Sequence, residues 1–411
     1  MSGRKYIFLI IICGTMLGLM VFFSGPIKTT FEYFLGFAFR QTITPQDLKS
    51  KYQTNSLKIL VVPGHDNEYP GAEYGGLREA DLTLSTAKAL VGLFKGDPHF
   101  QVFTTRNFTT GRYTEEFGRY FVSEKAAIEK FRADSSKLMH SLIVNNVAED
   151  KSTPYHGFAS SEVSERLYGI NKWANDHGID IVIHLHFNNY PRANDSSPGA
   201  YNGFAMYIPE PQFPNAVASN DLARSVFKVL KNNFSVSNFP PEAQGVVADQ
   251  DLIAVGSNAS LDKAAFLIEY GYIYEAQFRN AAVRAKILPE LAYFTFVGLT
   301  RYFESTPGTD QNGRFETTLL PYEWKRPLTQ GLRGDPDVLS LQTALHIEGV
   351  YPPSGKTLGQ CPINGNFGPC VASALEFFQK KYNLREALGS FGAATRDTLN
   401  GLYGQTLVRS K

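Results

Sequence analysis

Cysteine and net charge are both scarce in this sequence. The cysteines are Cys13, Cys361 and Cys370, too few for a disulfide scaffold or a cysteine-based zinc site. Cys361 and Cys370 are close enough in sequence to bridge one loop in an oxidising compartment, and the sequence leaves open whether they do. The net charge of +1 gives no sign of the basic surface that binds nucleic acid, so we expect no such partner. The chain of 411 residues, 43% of them hydrophobic, has room for two globular domains.

Charge is also missing from the stretch YIFLIIICGTMLGLMVFF, which follows Arg4 and Lys5. A run of about 18 to 20 apolar residues can span a bilayer, and a basic flank favours the cytoplasmic side. A cleaved signal peptide is the alternative, but the following VFFSGP lacks the small residues that a cleavage site requires. We therefore predict a single-pass membrane anchor in residues 1–24, with the rest of the chain outside the cytoplasm, in the periplasm or the cell-wall space.

Beyond a predicted juxtamembrane linker at residues 25–55, apolar strand-like segments alternate with helical ones. The run LKILVV at 57–62 is typical of a strand, and SEVSERLYGINKWANDHG at 161–178 is typical of a helix. This alternation predicts an α/β domain over residues 56–304, with a mostly parallel twisted sheet and helices on both faces. In such domains the functional groups gather at the carboxyl ends of the strands.

Residues 107–160 form an unusually long connection inside this domain and contain a helical segment at 123–144. A connection of that length is typical of an active-site lid or a specificity element. A helix that only adds stability is the alternative, and the sequence leaves the two open.

The composition turns polar, with glycine and proline, at residues 305–329, which predicts an interdomain linker. Three short helical segments follow, near 335–349, 369–382 and 393–403. We therefore predict that residues 330–411 form a small, all-α three-helix domain.

Five polar side chains lie where the chemistry of the α/β domain is expected. His65 follows the first strand, Glu79 begins the next helix, His184 and His186 lie near the end of a later strand, and Glu269 lies in the apolar strand FLIEYGY. Each has an ordinary explanation: a turn histidine, a carboxylate that favours a helix N-terminus, or a structural histidine. Glu269 is the hardest to explain in this way, because a buried carboxylate is costly unless it is paired or ligated.

Together these residues supply three imidazoles and two carboxylates, and two imidazoles, one carboxylate and a spare carboxylate are the inventory of a catalytic zinc site. Three protein ligands leave one position of a tetrahedral ion for water, whose pKa the metal lowers. The spare carboxylate then moves the proton from that water to the leaving group. Burial in an apolar strand raises a carboxylate's pKa, which suits Glu269 to that task.

The segments VVPGHDN, GGLREADL, DIVIHLHFNN and FLIEYGY give the chain a resemblance to the zinc-dependent N-acetylmuramoyl-L-alanine amidases of bacterial cell walls, over about residues 57–303. The resemblance implies that zinc is held by His65, Glu79 and His186, and that Glu269 is the catalytic acid–base. By the same resemblance, Arg166 and Asn171 on the helix before the third strand are scaffold residues. The implied substrate is peptidoglycan.

Three features depart from that family. Asp66 and Asn67 follow the first ligand where the family has a glycine, and His184 stands where the family often has a small or apolar residue. His184 is therefore either a residue that orients a ligand by hydrogen bond or an alternative ligand. The insertion at 107–160 is also longer than in the family.

The C-terminal segment resembles the three-helix peptidoglycan-binding domain found beside many wall hydrolases. The matching segments are DPDVLSLQTALHIEGVYP, INGNFGPCVASALEFFQKKYNL and SFGAATRDTLN. A threonine that is usual in the central motif is Val371 here, and the apolar residues at helical spacing are equally explained as core.

The sequence therefore predicts a wall hydrolase that cleaves the amide between the muramyl lactyl group and L-alanine. One alternative is a zinc carboxypeptidase acting on peptide stems, which requires an arginine for the free carboxylate; Arg78 and Arg192 are the candidates near the site. A non-catalytic wall-binding regulator is the other. The sequence does not indicate the oligomeric state.

Overall fold

The computed structural model describes residues 42–151, 159–189, 192, 194, 196–255, 263–304 and 316–404. The predicted membrane anchor at 1–24 lies outside these residues. Within the part of the chain that is described, none of the helices combines the length and the apolar character that crossing a bilayer requires.

A six-stranded sheet forms the centre of the larger domain, in the order β4-β1-β5-β8-β6-β7. A two-stranded hairpin of β2 and β3 lies apart from it. The strands are β1 Leu57–Pro63, β2 Glu73–Tyr74, β3 Leu77–Arg78, β4 Phe100–Thr104, β5 Ile181–Asn188, β6 Ala205–Pro209, β7 Val246–Asp249 and β8 Ala264–Tyr272.

Helices alternate with these strands and then continue alone toward the C-terminus. The α-helices are α1 Pro45–Gln53, α2 Glu79–Lys95, α3 Glu115–Ser123, α4 Lys125–Val144, α5 Ser161–Asp176, α6 Ala216–Asn233, α7 Ala276–Arg279, α8 Ala281–Phe303, α9 Pro336–Ile347, α10 Pro369–Lys381 and α11 Ala393–Tyr403.

The prediction of an α/β fold with a mostly parallel sheet is confirmed. Strands β4, β1, β5 and β8 are mutually parallel, whereas β6 runs antiparallel to β8 and takes β7 with it. The strands read as near-continuous apolar runs because both faces are covered by helices. On one face Ile183 packs in the large core that includes α2, α6 and α8, and on the other Val182 packs with Trp173 of α5.

Two segments predicted as linkers contain packed structure. Within 25–55, α1 begins at an N-cap threonine, Thr44, and buries Leu48 and Tyr52 in the main core. Within 305–329, the described part buries Trp324, whose indole N–H donates to the Asp337 carbonyl at 2.9 Å. The domain boundaries themselves stay predictions.

The C-terminal segment is the expected three-helix unit, α9 to α11, and Cys361 and Cys370 form a disulfide within it. It packs directly on the α/β domain: the His346 Nε2 lies 2.8 Å from the Asn232 carbonyl oxygen. Buried apolar side chains of both segments belong to one continuous core.

The described part of the insertion at 107–160 forms a loop followed by α3 and α4. The buried side chain of Ile128 in α4 packs against Tyr168 of α5, which accounts for the position of α4 on that face of the sheet. At the end of the insertion, the Lys151 N–H donates to Oε1 of Gln250 at 2.6 Å.

Candidate active site

His65 lies immediately beyond β1, in a turn that leaves no room for a larger preceding residue. A Cβ on Gly64 would lie 2.4 Å from the His186 imidazole, so only glycine allows the two chain segments to approach this closely. His65 itself has a φ of 63°, a left-handed conformation that non-glycine residues rarely adopt. This strained turn directs the His65 imidazole toward β5, where its ring centroid lies 5.1 Å from that of His186.

Glu79 is the first residue of α2, and its carboxylate is the centre of the cluster. Its Oε2 lies 3.1 Å from the His65 Nε2, and its Oε1 lies 2.9 Å from the His186 Nδ1. Backbone N–H groups of Ala72 and Phe187 also donate to it, at 2.9 and 3.1 Å. The side chain is only 4% exposed, and this set of donors compensates for the burial of its charge.

Gly71 lies in the loop between His65 and Glu79 and contacts both side chains. Its φ is 74°, and a Cβ there would lie 2.5 Å from both the Glu79 Oε2 and the His65 Cδ2. The loop between β1 and α2 is therefore built around the carboxylate–imidazole pair, and glycine is required where the backbone passes it.

The two histidines of β5 occupy different environments, although they lie on the same face of the strand. His186 is 17% exposed and joins His65 and Glu79 in a group whose ligand atoms lie within 4.8 Å of one another. His184 lies deeper and is buried, and neither of its ring nitrogens has a hydrogen-bond partner among the described residues. Burial lowers the pKa of His184 to about 3, which keeps its ring neutral.

Glu269 lies beside this group, because it is the register partner of His186 across the parallel pair β5 and β8. Its Oε2 is buried and has no hydrogen-bond partner in the described residues. Burial raises the pKa of Glu269 well above its usual range, and the charges of Glu79 and Glu242 raise it further. A carboxyl with a raised pKa is suited to accept and return a proton during catalysis.

The three clustered side chains also shift one another's pKa. Burial opposes the charge on Glu79, but the positive charge of His65 and the hydrogen bond from His186 hold its pKa below the usual range. Burial lowers the pKa of His65, but the charge of Glu79, the hydrogen bond to Glu79 and the charge of Asp66 together outweigh this and raise it. The carboxylate is therefore ionised at neutral pH, as a metal ligand must be.

Glu242 is a functional candidate that the sequence analysis missed. It is buried and accepts hydrogen bonds from Asn188 at 2.8 Å and from the hydroxyl groups of Tyr207 at 2.7 Å and Tyr272 at 3.0 Å. The Ser237 hydroxyl donates to the same carboxylate. Its segment, FPPEAQG, has no strand or helix pattern, and the only sequence signal was the pair of tyrosines in apolar strands, whose hydroxyl groups require partners.

Of the two expected scaffold residues, Asn171 in α5 donates to the Ile253 carbonyl at 2.9 Å. This bond ties the segment around Ile253 to α5. Arg166 pairs with Asp66 at 2.6 Å. The arginines proposed for a carboxypeptidase have other contacts: Arg78 is held by Asp81 at 2.8 Å, and Arg192 donates to the Glu73 carbonyl at 2.7 Å.

The site is open to solvent, because the side chain of His65 is 29% exposed and that of His186 is 17% exposed. The structure therefore brings together His65, Glu79, His186 and Glu269, and it leaves His184 beneath them. The first three can hold a metal ion, and the fourth is an acid–base group beside it.

The family model described as N-acetylmuramoyl-L-alanine amidase matches residues 59–300. No curated protein matches the chain in sequence.

Solved structures similar to this chain include three amidases. The CwlD amidase from Clostridioides difficile, solved with the GerS lipoprotein, has 15% identity and a TM-score of 0.37 over 60% of this chain and 98% of its own. The amidase AmiC2 of Nostoc punctiforme has 15% identity and a TM-score of 0.37 over 60% of this chain and 96% of its own. The amidase Ami1 from Mycobacterium abscessus has 14% identity and a TM-score of 0.38 over 60% of this chain and 99% of its own.

The family model covers more than half of the chain and includes each of the four site residues, and on that match the chain belongs to the N-acetylmuramoyl-L-alanine amidase family.

Proposed function

We propose that this protein is a zinc-dependent peptidoglycan amidase that cleaves the amide between N-acetylmuramic acid and L-alanine. The observation that carries the proposal is the convergence of His65, Glu79 and His186, with ligand atoms within 4.8 Å of one another, beside the buried carboxyl of Glu269. Membership of the amidase family names the bond.

The donor set fits zinc, because two imidazole nitrogens and one carboxylate oxygen form a typical three-residue site of zinc hydrolases. The side chains that hold it are His65, Glu79 and His186. When bound, zinc supplies a Lewis acid that polarises a carbonyl and makes water more acidic.

The chain's own residues then perform the proton transfers. Glu269 accepts the proton of the attacking water and donates it to the nitrogen of the departing alanine. Its raised pKa favours the first of these steps, because a more basic carboxylate takes the proton from water more readily and then holds it until the leaving nitrogen accepts it. The hydrogen bonds that Glu242 accepts from Asn188, Tyr207 and Tyr272 fix a second buried carboxylate, whose charge acts on Glu269.

The other parts of the chain support action outside the cytoplasm. We propose that residues 1–24 anchor the chain in the membrane and that residues 330–411 bind peptidoglycan. The disulfide between Cys361 and Cys370 is consistent with an oxidising compartment. An anchor limits the enzyme to glycan strands within reach of the membrane, and a wall-binding domain raises its local concentration there.

The test uses the full-length chain in detergent, incubated with purified peptidoglycan with and without a chelator. The expected products, read by mass spectrometry, are stem peptides with a free L-alanine amine, and both the chelator and Glu269→Gln abolish them. Release of single terminal amino acids instead would indicate a carboxypeptidase. Wall binding without any product would indicate a non-catalytic regulator.

A further inference from the structure

A cavity of about 440 Å³ opens next to the metal-binding group, and the proposed function does not account for it. Its lining begins at Asp66 and Asn67, which directly follow the ligand His65 in sequence, and continues to Arg112, Tyr113 and Arg166. Asp66 and Asn67 are among the positions at which the chain departs from the family pattern. The lining of the cavity therefore begins one residue along the chain from the proposed ligand His65, and consecutive Cα atoms are about 3.8 Å apart.

One wall of the cavity is fixed by Arg166. Its guanidinium pairs with Asp66 at 2.6 Å and with Glu68, and it stacks over the rings of Tyr69 and Tyr113. Both acidic groups of the lining are ion-paired with this one cation, which weakens their repulsion of an anion relative to free carboxylates.

The loop 107–113 forms another wall, to which it contributes Arg112 and Tyr113, and it is tied to the metal site. Arg106 is fully buried and donates to the Gly111 carbonyl at 2.8 and 3.0 Å and to the Ala80 carbonyl at 3.0 Å. Ala80 is the residue after Glu79, so the loop is fixed relative to the helix that presents the central ligand. The Asn67 amide also donates to the Thr110 carbonyl at 3.2 Å, which joins the two walls.

Arg112 is the cation that this arrangement leaves unneutralised. Its side chain is exposed, and it has no ion pair among the described residues, whereas Arg166 has two. A guanidinium offers paired N–H donors whose geometry matches a carboxylate. A preformed cavity with one unpaired arginine beside the reacting centre is a site for an anionic group.

We propose that this cavity binds the stem peptide of the substrate, and that Arg112 binds the carboxylate of the residue that follows the scissile L-alanine. This inference rests on the proposed amidase function and adds its specificity. The long insertion at 107–160 thereby acquires a role in substrate selection through its first residues, and Gly118 of α3 also lines the cavity.

The first measurement is direct binding, which does not depend on catalysis. The metal-loaded Glu269→Gln chain is titrated by calorimetry with L-alanyl-D-glutamate and with its α-amide, L-alanyl-D-isoglutamine. We expect the free acid to bind at least about tenfold more tightly, since a charge-assisted bidentate contact contributes about 1.5 to 3 kcal/mol. Adding Arg112→Gln should bring the two affinities to within about twofold. Equal affinities before that change would overturn the proposal.

The second measurement compares kcat/KM for N-acetylmuramoyl-L-alanyl-D-glutamate and its α-amide. The ratio should exceed about ten in the unmodified enzyme and fall to about one in Arg112→Gln, mainly through KM. Arg119→Gln is the matched control, because Arg119 lies in α3 of the same insertion, is 75% exposed and pairs with Glu115. It tests general electrostatic attraction, so the same fall in both variants would exclude a specific contact.

The outcomes also separate this inference from the proposed function. If neither substrate is cleaved at the lactyl–alanine amide, the amidase proposal fails, and the calorimetric ratio still reports on the cavity. If both are cleaved with equal efficiency and Arg112→Gln changes nothing, the amidase proposal stands and the carboxylate site is wrong.

Discussion

His186 and Glu269 occupy partner positions on the adjacent parallel strands β5 and β8. This pairing places a metal-ligand candidate and an acid–base candidate side by side on one face of the sheet. The other face holds the large apolar core, with Ile183 and Ile268. Since side chains alternate between faces, a slip of one residue in this register would turn Glu269 into that core and remove it from the site.

The assignment of the ligands predicts a difference between the two histidines of β5. In His186→Ala the metal content should fall from about one ion per chain to below about a tenth, because one of three ligands is lost. Elemental analysis of the purified protein measures this. His184→Leu should keep its metal, because the ring nitrogens of His184 contact no polar group in the described residues. Equal loss in both variants would make His184 a ligand.

The packing of Gly64 predicts that one methyl group is enough to damage the site. In Gly64→Ala the new Cβ would lie 2.4 Å from the His186 ring, so the imidazole must move, and we expect metal affinity to fall at least about tenfold. Gly92→Ala in α2 is the control, because nothing lies within 4 Å of its added Cβ. That variant should bind metal normally and gain up to about 1 kcal/mol of stability. Competition with a fluorescent zinc chelator gives both affinities.

The raised pKa of Glu269 predicts a pH-dependent cost to stability in the metal-free protein. A carboxyl whose folded pKa exceeds its unfolded value of about 4.3 favours folding only while protonated, so this contribution is lost as pH rises through the folded pKa. Glu269→Gln removes the ionisation. It should therefore be more stable than the unmodified chain at pH 8, by at least about 1 kcal/mol, with a smaller difference at pH 5.

Urea unfolding of the chelator-treated proteins at the two pH values measures this difference. A gap between the proteins that stays the same at both pH values would mean that the pKa of Glu269 is not raised in the folded protein. The stability gained should accompany loss of activity, because the buried carboxyl that destabilises the fold is the proposed proton carrier.

The hydrogen bonds that Glu242 accepts predict that it contributes to activity without holding the metal. In Glu242→Gln the amide cannot accept all the bonds that Asn188, Tyr207 and Tyr272 donate, and loss of the negative charge lowers the pKa of Glu269. We expect kcat/KM to fall about tenfold with the metal retained, along with about 1 to 3 kcal/mol of stability.

Glu290→Gln is the control for that experiment. Glu290 in α8 is also a buried carboxylate, and it accepts a hydrogen bond from the Thr318 N–H at 2.6 Å. It should lose similar stability without a change in kcat/KM per folded molecule. If both variants keep full activity, the network around Glu242 is structural only.

The α/β fold was predictable from sequence, as were the four candidate residues that it brings together, because their signals are local. The apolar runs of β1 and β5 are strands buried on both faces, and the carboxyl ends of parallel strands lie on one edge whatever the details of packing. Glu269 was identifiable because a carboxylate inside an apolar strand requires a reason. The register that makes it the neighbour of His186 is a long-range property and was not visible.

The helix α1 and the packed segment around Trp324 show the opposite case. Both lie in stretches that the sequence indicated as linkers, because their composition is polar and their few apolar residues have no sustained periodicity. Leu48 and Trp324 are nevertheless buried against distant elements. Tertiary contacts override weak local preference when a few large side chains find a complementary surface.

The sequence by itself determined the strand and helix alternation, the inventory of candidate metal ligands and the spare carboxylate, since each depends on residue type and short spacing. Only the tertiary structure decided which histidine of β5 joins His65 and Glu79, where Glu242 lies, and that Arg112 faces a cavity beside the site. These relations join residues far apart in the chain. They depend on strand register, on the close approach that Gly64 permits and on the loop that Arg106 fixes, and no local pattern encodes them.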